Sequence, residues 1–322
     1  MTDAEGCMSL TTGRRRFAAL LVAALAVPVR PIRAQAQLKI VVSFSVLADL
    51  VREVAGDAAR VHALVGPDVD AHGYDPTPSD ARSVAAADMV IVNGLGFDGW
   101  AEKLARASGF KGRLVVATKG IATLRTQANA HGHGHGHGHA HGHGRAAVDP
   151  HVWQDPQRVR QMVSHLAAEF AAVDPANAVV YRARAAAYGQ RLAELDAWIV
   201  AELATVPAAR RKVVTSHDAF AYFEARYGID FKAPRGVNLD ADPSAGDVAR
   251  LIREIRREKV RIVFLENVSS PRLIEQIARE SGAQMGGRLF TDALSAPDGP
   301  APGYIALMRH NVVRLRDAML AE

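Results

Sequence analysis

The sequence predicts an α/β protein of two similar lobes, each a mainly parallel sheet with flanking helices, joined by one long rigid helix. Three observations carry that expectation. Short apolar runs alternate with helical patterns, which is the signature of βα units. The runs fall four and four about the middle of the chain. Between the two groups lies a stretch rich in Ala, Arg, Leu and Glu that has high helix propensity.

The first residues stand apart from this scheme. Arg14, Arg15 and Arg16 precede an apolar stretch from Phe17 to Val29, and Ala34-Gln35-Ala36 offers a small-x-small cleavage pattern. Residues 1–36 are therefore expected to be a signal peptide, cleaved after about Ala36, and the mature protein to be periplasmic. The apolar stretch is shorter than the roughly 20 residues a bilayer requires. Gly13-Arg14-Arg15-Arg16-Phe17 resembles a twin-arginine export signal, although an ordinary secretory leader is also Arg-rich.

The leader explains most of the apparent basicity. Residues 1–36 hold five Arg and two acidic residues, so the formal charge falls from +5 for the chain to +2 without them. That leaves no electrostatic footprint for nucleic acid. The single cysteine, Cys7, precedes the apolar stretch and is lost on cleavage. A mature chain without thiols leaves His and carboxylates for any metal chemistry.

The candidate strands of the N-terminal lobe, residues 37–174, are Leu38–Phe44, Arg60–Val65, Met89–Val92 and Leu114–Ala117. Those of the C-terminal lobe, residues 207–322, are Lys212–Thr215, Asp230–Ala233, Ile262–Leu265 and Met285–Leu289. Residues 175–206 are the connecting helix: Asp174-Pro175 gives a start signal and Pro207 a stop. A helix of about 28 residues would run roughly 42 Å, and Gly189 is the place where it could kink. Within the first lobe, 126–147 is a low-complexity segment in which His131, His133, His135, His137, His139, His141 and His143 alternate almost perfectly with Gly or Ala. Such a sequence forms neither a stable helix nor a strand.

Four residues form the candidate site: His72, His151, His217 and Asp292. Each lies beyond the carboxyl end of a candidate strand, where ligands bind in open parallel sheets. Three imidazoles and a carboxylate make a four-coordinate set suited to zinc, with two ligands from each lobe. Any one of these histidines alone is more simply read as ordinary structure; joint placement carries the case. The seven loop histidines are expected as a weak, exchangeable collecting site, since alternating His and Gly hold no fixed geometry; a zinc sensor and a merely solvated tract are the alternatives.

The motifs around these residues bear a specific resemblance. Val42-Ser43-Phe44-Ser45-Val46-Leu47-Ala48-Asp49-Leu50, Tyr74-Asp75-Pro76-Thr77-Pro78, Asn93-Gly94-Leu95-Gly96-Phe97-Asp98, Asp149-Pro150-His151-Val152-Trp153, Ser216-His217-Asp218-Ala219-Phe220 and Phe290-Thr291-Asp292-Ala293-Leu294 stand in order along the mature chain. Together they resemble the metal-binding solute-binding proteins of ABC importers, the ZnuA/TroA-like family. The resemblance implies metal capture between two α/β lobes, limited hinge closure about the long helix, and delivery to an ABC permease and its ATPase by a monomer. It also implies zinc: His217 stands where manganese carriers of the family often have Glu, and a His-rich loop is a zinc-type feature. Mn2+ is the alternative cargo. Asp75 and Asp98 stand where Glu is common and Ala71 where Pro is common. The disulfide that many zinc carriers have in the second lobe cannot form here.

Two rival readings use the same residues. A zinc hydrolase needs an open coordination position and a general base, whereas Asp292 fills the fourth place and neither His-Glu-x-x-His nor Gly-x-Ser-x-Gly occurs. A periplasmic zinc buffer or adhesin would share the fold without a permease. Among secondary candidates, Asp149 either orients His151 or caps the next helix. Glu266 more simply pairs with an Arg than reaches the site. Phe220 and Trp153 are expected as apolar walls, and His62, His165 and His310 as ordinary structure.

Overall fold

Consecutive β-branched and aromatic residues suit a strand covered on both faces, and β1 (Leu38–Phe44) is buried at every position except Lys39. The computed structural model describes residues 37–125, 148–236 and 243–321; the expected signal peptide and the His-rich loop lie outside the described residues. After β1 come α1 (Ser45–Ala55), β2 (Ala59–Val65), α2 (Pro78–Ala85), β3 (Met89–Val92), α3 (Gly99–Ala107) and β4 (Arg113–Val116). The four strands pair in parallel in the order β2-β1-β3-β4.

Side-chain alternation decides what covers each face. Val41, Val90 and Val92 pack with Val84 of α2 and with Ala101 and Ala105 of α3. Ile40, Val42, Met89 and Ile91 face the main core, which includes α1 and the helix α4 (Pro156–Val173).

The second half repeats the plan. It contains β5 (Lys212–Val214), α6 (Ala221–Tyr227), β6 (Asp230–Lys232), α7 (Ala245–Glu258), β7 (Ile262–Glu266), α8 (Pro271–Ser281), β8 (Gln284–Leu289) and α9 (Tyr304–Leu320). Its strands are again parallel, in the order β6-β5-β7-β8. Val214 and Val263 face α7 and α8, while Val213, Ile262 and Phe264 face the main core with α9. All eight expected strands are present, with ends shifted by a residue at most.

The long helix, α5, runs unbroken from Ala178 to Ala204, so Gly189 does not kink it. It is shorter than the expected 175–206 at both ends. Pro175–Asn177 makes a separate 3₁₀ turn, and the last amides, of Thr205 and Val206, bond three residues back, to Glu202 and Leu203. Its 27 residues span about 40 Å at 1.5 Å per residue. Tyr181, Ala185, Tyr188, Leu192, Leu195, Ile199 and Leu203 form its buried stripe at helical spacing. That stripe packs on α1 and α4 beside the first sheet and on α6 and α9 beside the second. Among the described residues, no helix is long and apolar enough to cross a membrane.

Asp196, buried on α5, ties three helices together. It accepts from Gln157 Nε2 of α4 at 2.8 Å, Arg226 Nε of α6 at 2.6 Å and Tyr227 Oη at 2.7 Å. Removing this carboxylate strands several donors in a poorly solvated place. Asp196→Ala is therefore expected to lower unfolding stability by about 2–3 kcal/mol, read as a lower denaturation midpoint with an unchanged m-value.

Candidate metal centre

Parallel strands present their carboxyl ends on one edge of each sheet, so short extensions beyond those ends can meet. His217 lies three residues past β5 and Asp292 three past β8. His72 lies in the 66–77 segment between β2 and α2, and His151 just ahead of α4. The structure brings these four together: one donor atom from each lies within 4.8 Å of all the others. His151, His217 and Asp292 are fully buried, and His72 is partly buried.

The carboxylate of Asp292 sits centrally. Its Oδ2 is 3.1 Å from His217 Nε2 and 3.8 Å from His72 Nδ1, and its Oδ1 is 3.7 Å from His151 Nε2. Donors about 2.0–2.1 Å from a tetrahedral ion lie about 3.4 Å from one another. Contraction of the group from its present spread, within 4.8 Å, to that separation would enclose an ion.

Hydrogen bonding leaves the donor atoms of His151, His217 and Asp292 unsatisfied. His151 Nε2, His217 Nε2 and both oxygens of Asp292 are buried and make no hydrogen bond of acceptable geometry, despite the short approach of His217 to Asp292. Orphaned polar atoms are costly in a core and call for an explanation. A cation among them supplies one.

Each imidazole is braced from behind by a carboxylate. Asp70 Oδ1 lies 3.0 Å from His72 Nδ1 and accepts from the His72 amide at 2.9 Å. Asp149 Oδ1 repeats the arrangement with His151, at 2.8 Å from Nδ1 and 2.9 Å from the amide. Glu266, at the end of β7, accepts from the amides of Ser216 and His217 at 2.7 and 3.0 Å and pairs closely with His217 Nδ1. At His151 and His217 the carboxylate at Nδ1 keeps the proton there and turns the Nε2 lone pair to the centre.

These neighbours also set the charge. Burial opposes protonation of His217, but the carboxylates of Glu266 and Asp292 outweigh it and hold this imidazole well above its ordinary range. His72 is raised for similar reasons: burial works against the shift, and Asp70 and Asp292 win. Burial would raise Asp292, yet the surrounding imidazoles depress it. A raised folded-state His pKa contributes stability that is complete below about pH 6.5 and lost as pH rises through the raised value. The metal-free protein should thus melt at lower temperature as pH increases from about 6.5 through the neutral range, a trend thermal scans at fixed ionic strength can check.

Aromatic rings close the centre on one side. Phe97 packs edge-on to His72 at 4.4 Å between centroids, and Trp153 lies 5.3 Å from His151. Phe220, expected as a wall, caps the start of α6 in the main core and stacks on Phe231 at 4.5 Å between centroids. Glu266 pairs with His217 rather than an Arg, since β7 lies beside β5 and delivers its last carboxylate under the β5 extension. Asp149 orients His151, while Asp155 caps α4 by accepting from the Gln157 amide. Sequence reasoning missed Asp70 and Phe97; the shared Asp-x-His spacing of 70–72 and 149–151 was the available signal. His62 on β2, His165 on α4 and His310 on α9 stay outside the group.

Farther out, Asn93 fixes the approach to His151 by donating from Nδ2 to the Pro150 carbonyl at 3.0 Å. The turn that carries Asn93 depends on Gly94, at φ +85°, where a Cβ would lie 2.5 Å from Val116. Buried Asp98 closes it by accepting from the amides of Asn93 and Gly94.

Residues 40–318 match the family described as zinc-uptake complex component A, periplasmic. The chain belongs to this family. It is a metal-binding solute-binding protein of ABC import, from a family that is not enzymatic. It is 30% identical over 296 residues to the iron-binding protein YfeA of Yersinia pestis, covering 92% of this chain and 91% of that one. It is 30% identical over 275 residues to the manganese-binding lipoprotein MntA of Halalkalibacterium halodurans, covering 85% and 86%. The solved structure of the periplasmic zinc-binding protein TroA from Treponema pallidum superposes with a TM-score of 0.80 at 26% identity, covering 88% of this chain and all of that one. The two-sheet α/β architecture with a long helix touching both halves is that of TroA.

Proposed function

We propose that this protein captures Zn2+ at His72, His151, His217 and Asp292 and hands it to an ABC permease and its ATPase. In this reading residues 37–174 and 207–322 are the two lobes, 175–206 joins them, and export through the 1–36 leader places the monomer in the periplasm. The observation that carries the zinc assignment is the donor set: three imidazoles, of which His151 and His217 offer an Nε2 with no hydrogen-bond partner, one carboxylate and no sulfur. Imidazole donors suit zinc, whereas added carboxylates suit manganese, and an equal N/O site binds zinc more tightly than manganese. The relatives are named for iron, manganese and zinc, so their names do not select the cargo. Histidines 131–143 serve as weak collecting ligands that raise local zinc near the site.

The test is a competition titration on untagged, metal-stripped protein. One zinc per chain is expected, held at least a hundredfold more tightly than manganese. Equal or tighter manganese binding would overturn the zinc assignment. Acid should release the ion, because protons compete for the same nitrogens. Since His72 and His217 are raised in the metal-free state, zinc affinity should climb with pH through the neutral range while metal-free stability declines. A Kd unchanged between about pH 7.5 and pH 5 contradicts a three-histidine site.

Glu266 gives a sharper check. Glu266→Gln keeps the size of the side chain but weakens the brace on His217 Nδ1, and loss of such a partner commonly costs about 10–100-fold in metal affinity. Calorimetry should show that loss with the stoichiometry still one.

A further inference from the structure

Three of the four residues of the centre are fully buried on short extensions from strands or beside a helix start; His72 alone rides on a long segment, 66–77, without regular secondary structure. What keeps that segment over the centre decides how readily an ion leaves. The segment is tied across to the second half of the chain at Asp68. The Asp68 amide donates to the Leu294 carbonyl at 2.9 Å, and Asp68 Oδ1 accepts from Asn267 Nδ2 at 3.0 Å. Asp68 has φ +53°, a left-handed conformation that Asp and Asn tolerate better than other residues with a Cβ.

Asn267 is placed to do more than hold Asp68. It follows Glu266, the brace of His217. Its Nδ2 also reaches the Ala293 carbonyl at 3.2 Å, and its Oδ1 accepts from the Thr291 amide at 3.3 Å, so it grips the backbone on both sides of Asp292. One amide side chain thus links the His72 segment to the Asp292 turn. Unlike the centre itself, this link is within reach of solvent: Asp68 is exposed and Asn267 partly so.

Resting on the carrier reading above, we propose that Asn267 is a positioning residue which, through Asp68, latches the His72 segment and sets the rate at which the ion is released. Opening the latch lets His72 withdraw while the other three groups stay in place. A partner protein can reach it from outside without entering the core.

The test is stopped-flow release of zinc from loaded full-length protein to excess fluorescent chelator. Loss of one exposed, charge-assisted hydrogen bond corresponds to a change of about fivefold. Asp68→Ala should speed release by about that factor, and Asn267→Ala by at least as much because it also frees the backbone on both sides of Asp292, with metal-free melting temperatures lowered by no more than a few degrees, as loss of about 1 kcal/mol implies. Asp68→Asn keeps an acceptor oxygen and the tolerance for positive φ, and should release within about twofold of wild type. Asp68→Ala added to Asn267→Ala should accelerate release no further, because both remove the same bond. Release from both single variants at the wild-type rate, or Asp68→Asn releasing as fast as Asp68→Ala, overturns the latch and leaves the carrier reading intact. Wild-type protein that retains no zinc overturns both.

Discussion

His217→Ala is expected to weaken zinc binding by more than about a hundredfold, beyond the range seen when only an outer partner of a ligand is lost. The substitution removes one of four donors. It also strips the charge partner from two buried carboxylates, Glu266 and Asp292, which then repel each other across the gap. The metal-free variant should be less stable as well, since breaking a buried pair from one side leaves an uncompensated charge. Deleting residues 131–143 should leave the tight equivalent untouched and remove only weaker ones. Parallel calorimetry on the two variants separates these outcomes. A tight equivalent that disappears with the loop and survives His217→Ala would move the site to the loop.

Zinc added to metal-free wild-type protein should raise the melting temperature by roughly 10 °C at a free concentration about a thousandfold above Kd. An ion that binds only the folded state stabilises it by RT ln(1 + [L]/Kd), about 4 kcal/mol at that excess. Each kcal/mol moves the midpoint of a chain of this size by about 2–4 °C. The orphaned nitrogens and oxygens of the centre gain partners at the same time. Differential scanning calorimetry across a zinc series, with chelator as the zero point, measures the shift. A flat series would refute binding at the four-residue centre.

Much of this architecture was legible in the sequence because its signals are local. The strands are short apolar runs such as Met89–Val92, buried throughout, and the long helix is punctuated by Pro175 and Pro207. The candidate residues could be read because parallel strands deliver their carboxyl ends to one edge, so a His or Asp just past a strand is already placed. The supporting shell was harder. Glu266 meets His217 from 49 positions away, a pairing fixed by strand order β5-β7 and invisible to periodicity. Phe97 reaches His72 only through the tight turn at Gly94.

The unbroken α5 has a mechanical consequence. A helix of about 40 Å, pinned two-thirds of the way along by Asp196, acts as a stiff beam, and helices of this kind curve gently instead of folding at a joint. Bending by about 5° displaces a point about 20 Å from the pivot by less than about 2 Å. That distance is small beside the opening of a cleft with a flexible strap. It nonetheless exceeds the slack in a coordination bond, which fails within a fraction of an ångström. A transport partner would therefore have to do little work over a short stroke, and the ion would go from held to free without the lobes visibly parting.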